Sequence, residues 1–172
     1  LRESKVGKGN FYHYFKSKEA LGYAIIDRIV LKFSEEVLAP MFTSSTLPPL
    51  ERVERFLDHV VETQRQSRCV GGCPMGNLAV ELSDVHEGFR QRLAQVFRLW
   101  RESVHDALRE AREEGSLNHS VNPESLAHFF VASLEGAILL TKVTKDIAVM
   151  EQCARELRRH LDFSRVSSAL PA

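Results

Sequence analysis

Apolar residues recur at helical spacing from residue 18 almost to the end of the chain, so everything after a short opening segment reads as helix. Ser17 is an N-cap for a helix over 18–40, in which Leu21, Ile25, Ile29, Phe33 and Val37 form one stripe that stops at Pro40. Residues 43–49 are rich in Ser, Thr and Pro. Pro48 and Pro49 suit the first turn of a helix running to about Gln66, with Val53, Phe56, Leu57, Val60 and Val61 on its buried face. The segment SRCVGGCP interrupts it, and a short helix is predicted over 74–82. Ser83 or Asp84 caps a long helix reaching Glu114 and carrying Phe89, Leu93, Val96, Phe97, Trp100, Val104 and Leu108, which Gly115 ends. Pro123 opens an apolar helix with Leu126, Phe129, Phe130, Leu134, Ala137, Ile138 and Leu140. A last helix over 147–163 aligns Met150, Ala154, Leu157 and Leu161. The fold class is all-α.

The helix after Pro123 is apolar nearly all round, and Ala132, Ser133, Gly136 and Ala137 let another helix approach it closely. A monomer core is the plainer explanation for this surface. A homodimer interface through the last two helices is the alternative, and it explains why apolar residues occur nearly all round that helix. With 172 residues, 44% of them hydrophobic, the chain buries an ordinary core without disulfide staples, and its three cysteines are expected to be reduced thiols. No run approaches 18 consecutive apolar residues, so no membrane span is expected, and neither is a signal peptide; a cytoplasmic protein is the default.

Charge changes this picture at one place. Acidic and basic residues balance over the chain at 23 each, yet residues 1–18 hold five Lys or Arg against the single acid Glu3. Within them lies KGNFYHYFKSK, residues 8–18. On a helix, Phe11 and Phe15 stack at i, i+4 as core anchors, which turns Asn10, His13 and Tyr14 to the opposite side and Tyr12 to a flank. Gly7 and Gly9 allow the helix N-terminus to approach a phosphate. Composition alone would also fit a small amphipathic helix with a solvated face.

The whole string, continued through KSKEALGYAIIDRI, resembles the TetR family of transcriptional regulators. The resemblance implies a TetR-like, all-α fold: a helix-turn-helix over 1–40 with its linker helix, then a helical regulatory and dimerisation domain over 41–172. Leu1 to Ser4 resemble the end of the helix before the turn, Lys5 to Gly7 the turn, and residues 8–15 the recognition helix. The sequence starts partway through the motif, so a truncated helix-turn-helix lacking its opening helix is expected. Lys8, Gly9, Asn10, Tyr12, His13 and Tyr14 match DNA-touching positions, Lys16 and Lys18 match backbone contacts, and Val6, Phe11 and Phe15 match core. The implied partners are double-stranded operator DNA, a second copy of the chain and a small-molecule or electrophile effector. In that family the last two long helices pair across the dimer as a four-helix bundle.

Cys69 and Cys73 supply only half a tetrahedral metal site, so no metal and no cofactor are expected. Cys73 precedes Pro74 at a predicted helix N-terminus, where the dipole favours a thiolate; a buried small hydrophobe is the plainer reading. GCPMGNLAVELSD resembles the GC-x-x-x-x-L-x-x-E-L-S segment of one TetR branch, which includes electrophile- and oxidant-responsive repressors, and Cys73 is the matching residue. Lys142 would lower the Cys73 pKa if the fold brought them together. For a non-covalent ligand, Met75, Asn77, Leu78, Phe97, Trp100, Phe130 and Glu135 are candidate pocket residues, although each is more often plain core. Seven histidines are scattered without a Ser/His/Asp grouping or an HExxH motif, and no glycine-rich phosphate loop follows a strand, so no enzyme is expected. A helical protein-interaction module without DNA is the alternative.

Overall fold

The computed structural model describes residues 8–43 and 46–166, and of Lys8 only the backbone. The expectations for residues 1–7, including the turn and Val6 as core, lie outside the described residues. Helix α1 spans Lys8–Tyr14. Ser17 then caps α2, Lys18–Phe33, its hydroxyl accepting the Ala20 amide at 3.0 Å.

The linker helix does not stop at Pro40. It widens into a π-helical turn over Ser34–Leu38 and continues as α3, Ala39–Phe42. Proline has no N–H to offer, and an α-helix running straight through it would clash with the carbonyl four residues back. Passing from four- to five-residue bonding just before Pro40, as in Ala39 N–H to Ser34 O, carries the chain past that conflict. The buried stripe is also rotated from the expected one. Ile26 is buried and Val30, Phe33 and Val37 pack on the core, whereas Ile25 and Ile29 are exposed.

Helix α4, Pro49–Gln66, and α5, Pro74–Leu82, start and stop where proline and the glycine-containing loop predict. In that loop Arg68, Cys69, Gly71 and Gly72 all have positive φ, and at Gly72 a Cβ would press on Lys142 at 3.0 Å. Helix α6, Glu87–Glu113, is capped by the His86 ring, which accepts the Phe89 amide at 3.4 Å. Ser83 and Asp84 are not its caps, because Ser83 still closes α5 and its N–H bonds to Ala79 O. Helix α7, Pro123–Thr144, is capped by Asn122, and α8, Ile147–Ser164, by Asp146.

Helices α4, α6, α7 and α8 form the body, with α7 packed on both α6 and α8, and α4 on both α6 and α8. Val53, Phe56, Leu57, Val104, Leu108, Phe130, Leu134, Met150 and Leu161 fill it. A single β-bridge between Leu117 and Arg165 fastens the end of α8 to the α6–α7 loop. By length and composition α7 would suit a membrane span, despite lacking 18 consecutive apolar residues. Its Leu126, Ala127, Phe130, Val131 and Leu134 are nevertheless buried within this bundle, while Phe129, Leu139, Leu140 and Val143 stay exposed.

Candidate functional site

Two surfaces are candidates for function, and α2 joins them. At its N-terminal end sits α1. Phe11 and Phe15 are half-buried with ring centroids 5.8 Å apart, as the i, i+4 spacing requires. Gly9, Asn10, Tyr12, His13, Tyr14, Lys16 and Lys18 are exposed, with Tyr12 at 58% and Tyr14 at 73%. Each aromatic on this face is steadied by a neighbour, Tyr12 edge-on to Phe11 and His13 edge-on to Tyr14, both at 5.0 Å. The helix therefore presents a row of planar hydrogen-bonding groups to solvent.

The middle of α2 is locked to the start of α6. The Arg92 guanidinium lies 3.8 Å from the Tyr23 ring centroid and faces Asp27 at 3.5 Å, and His86 Nε2 faces Glu19 at 3.4 Å. The fit is close. A Cβ on Gly22 would stand 2.6 Å from the Phe89 ring, and one on Gly88 would stand 2.1 Å from the Tyr23 hydroxyl.

Farther along, Ile29, Val30, Phe33, Ser34 and Leu38 form one wall of a cavity of about 250 Å³. Helix α4 supplies His59, Val60, Thr63 and Gln64, the α5 entry supplies Gly72, Cys73, Pro74 and Met75, and Val96, Leu99, Trp100 and Ile138 close it. Trp100 is wedged among Phe33, Phe56 and Phe97, at centroid distances of 5.2, 6.5 and 5.7 Å. Burial lowers the His59 pKa below its usual value, so the imidazole is neutral at neutral pH.

A wider depression of about 530 Å³ lies on the other side of α5, lined by Cys73, Gly76, Asn77, Phe97, Glu135 and Lys142 among others. The expected pocket residues thus divide. Cys73, Met75 and Trp100 line the inner cavity, Cys73, Asn77, Phe97 and Glu135 line the outer depression, and Leu78 and Phe130 line neither. Phe130 is fully buried and Leu78 is partly buried against the core. The sequence reading missed Gln64, which is 3% exposed. Its signal was available: it continues the buried stripe of α4 one turn beyond Val60 and Val61, at a position where an apolar residue is the ordinary choice.

Cys73 is the N-cap of α5, its sulfur accepting the Gly76 N–H at 3.2 Å. The helix terminus does not make it a thiolate. Burial, and then the neighbouring Glu135 carboxylate, push its pKa up to about 12, outweighing the Gly76 and Met75 amides that act the other way. Lys142 is not among the groups that act on the thiol; its ammonium donates to Asn77 Oδ1 at 2.7 Å. Glu135 fits beside the thiol because residue 76 is glycine: a Cβ there would lie 2.5 Å from Glu135 Oε2. Burial raises the Glu135 pKa, and the bond with Cys73 works against that rise. Replacing Glu135 by Gln should bring down the pH at which Cys73 becomes alkylated by iodoacetamide. Because burial is the larger cause, the midpoint should stay above that of a free thiol, about 8.5. An unchanged midpoint would mean that the carboxylate has no hold on the thiol.

Comparison with known proteins identifies residues 49–157 with the tetracyclin repressor-like C-terminal domain. The repressor DhaR of Mycobacterium sp. (strain GP1) is 30% identical over 149 residues, covering 87% of this chain and 73% of that protein. A regulatory protein TetR from Rhodobacter sphaeroides, 31% identical, superposes with a TM-score of 0.84 over 96% of this chain and 85% of its own. The reduced form of Escherichia coli NemR, 27% identical, superposes with a TM-score of 0.85 over 99% and 86%.

Proposed function

Since this chain belongs to the TetR family of DNA-binding transcriptional regulators, which are not enzymes, we propose that it is a cytoplasmic homodimeric repressor released from an inverted-repeat operator by a small effector. The observation that carries this reading is the double use of α2, which follows the exposed aromatic helix α1 at one end and forms a wall of the inner cavity at the other. An occupant that favours one position of that wall biases the position of the head, and only such a difference in affinity between two states can release DNA. Of the two release routes, ligand binding and modification of Cys73, the protonated and buried resting state of the thiol favours the first.

The dimer is supported by what α7 and α8 leave uncovered. Phe129, Leu139, Leu140 and Val143 on α7, with Phe163 on α8, are exposed apolar side chains on the two helices that TetR-family dimers pair. Two recognition helices held this way enter successive major grooves about 34 to 36 Å apart or a multiple of that. In this reading Lys8, Gly9, Asn10, Tyr12, His13 and Tyr14 meet the operator directly, and Lys16 and Lys18 meet its phosphates.

Gel shifts against an inverted-repeat operator, with sizing of the free protein alongside, test this. Tyr12→Ala or His13→Ala should weaken binding by about 1 to 3 kcal/mol of base discrimination and leave the dimer intact. Lys18→Ala should weaken all sequences alike and flatten the dependence on salt. Operator affinity unchanged in all three would remove α1 as the reading element.

A further inference from the structure

The inner cavity is selective in a way its outline alone does not show. Among the described residues, none that lines it is Lys, Arg, Asp or Glu, and its walls are dominated by side chains such as Phe33, Val60, Met75, Val96 and Trp100. Into this lining α4 places Gln64. The residue is 3% exposed, and its Oε1 is buried without a hydrogen-bond partner. A buried amide oxygen left unpaired is a standing cost that a suitable ligand would remove. We propose that the cavity binds a small neutral molecule with an apolar body about one substituted ring in size and a single hydroxyl group that pairs with the Gln64 amide. The proposal names the effector class of the repressor described above and rests on that reading for its regulatory meaning.

Size, charge and polarity each narrow the ligand. An apolar cavity of about 150 Å³ is enough for benzene, so about 250 Å³ admits a ring with a short substituent. A carboxylate entering this space loses its hydration and meets no cation, and an ammonium meets no anion. A hydroxyl both donates and accepts, so it satisfies Gln64 whichever way the amide is turned. The uncharged His59 ring and the Thr63 hydroxyl lie five residues and one residue back along α4 on the same lining. That hydroxyl is already committed to the His59 carbonyl at 2.8 Å, and among the polar side chains Ser34, His59, Thr63 and Gln64 on the lining only Gln64 is buried, which makes it the polar anchor.

Trp100, the chain's single tryptophan, lines the cavity and reports on its occupancy. The test titrates para-ethylphenol, ethylbenzene and para-ethylbenzoate into the full chain and into Gln64→Met, reading Trp100 emission. In the native chain para-ethylphenol should bind saturably, ethylbenzene roughly two- to twelvefold more weakly, and para-ethylbenzoate on the order of a hundredfold more weakly or not at all. In Gln64→Met the gap between the phenol and the alkylbenzene should close, while ethylbenzene binding is kept and shows that the cavity is intact. Benzoate binding as tightly as the phenol, a gap that survives Gln64→Met, or no saturable response to any probe would each overturn the proposal. If Gln64→Met does not fold, the ranking in the native chain decides. Gel shifts on the same preparation separate the two failures: a chain that holds its operator but none of the probes sinks this inference alone, whereas one that binds para-ethylphenol but no operator supports it and sinks the repressor reading.

Discussion

Replacing Phe56 by Ala should lower the folding free energy by about 3 to 5 kcal/mol. Phe56 is fully buried, and three aromatic side chains from three other helical segments rest on it: Phe42 at 5.5 Å, Phe33 at 6.5 Å and Trp100 at 6.5 Å. Truncation removes the transfer energy of a phenyl ring and leaves a hole whose walls come from α2, α3, α4 and α6, none of which can close it alone. Phe33 and Trp100 also border the inner cavity, so the loss has a second signature. Trp100 emission should shift to a wetter environment before any unfolding. Denaturant titration at one fixed protomer concentration measures the stability, since a dimer's midpoint depends on concentration. Val80→Ala on α5, where the side chain is 85% exposed, is the control and should stay within about 0.5 kcal/mol. Equal losses in the two variants would mean that the core is not centred on Phe56.

The second large effect concerns a charge. Arg52 on α4 is 6% exposed, and it binds Glu110 of α6 through both terminal nitrogens, at 2.9 and 2.6 Å. It also donates to the carbonyls of Phe42 at 3.1 Å and Leu47 at 3.0 Å, so one side chain ties the end of α3 and the residues just before α4 to the body. Arg52→Ala should cost about 2 to 4 kcal/mol, because it removes several charge-assisted bonds and strands two carbonyls. Arg55→Ala, three residues on, breaks only an exposed pair with Glu51 and should cost about 0.5 kcal/mol or less.

Acid should imitate the loss of Arg52 in part. The guanidinium hydrogen bonds hold the Glu110 pKa below its ordinary carboxylate value. Its contribution to stability is therefore present above the unfolded-state pKa, about 4.3, and disappears as pH falls through the lower folded value. Glu110 is half exposed, so solvent screening keeps this share modest. In Arg52→Ala that acid-sensitive share should be missing. An acid limb identical in the two proteins would separate Glu110 from Arg52 energetically.

Legibility from sequence followed the range of the forces involved. The borders of α4 and α5 and the start of α7 could be read because proline acts within one turn of the chain. The exposed face of α1 could be read for the same reason: Phe11 and Phe15, one turn apart, fix where Asn10, His13 and Tyr14 must go. The π-turn before Pro40 was not legible, since proline ordinarily ends a helix and here the packing of Phe33, Val37 and Phe42 on the body holds it together. Nor was the rotation of the α2 stripe. Periodicity accepts Ile25 or Ile26 equally until α6 arrives to bury one of them.

The sequence by itself determined that the chain is helical, that its opening string resembles the recognition helix of the TetR family, and where most helices begin and end. Tertiary structure alone decided the chemistry of the C-terminal domain. Cys73 and Glu135 are 62 residues apart in the sequence, and only the packing of the helices buries the thiol and adds a carboxylate, and not Lys142, to the groups that raise its pKa. Gln64 and Trp100 likewise become one site only because α4 packs on α6. Local patterning specifies which face of a helix is buried; it carries no information on which side chains of other helices that face will meet, and charge and solvation at a site depend on those meetings.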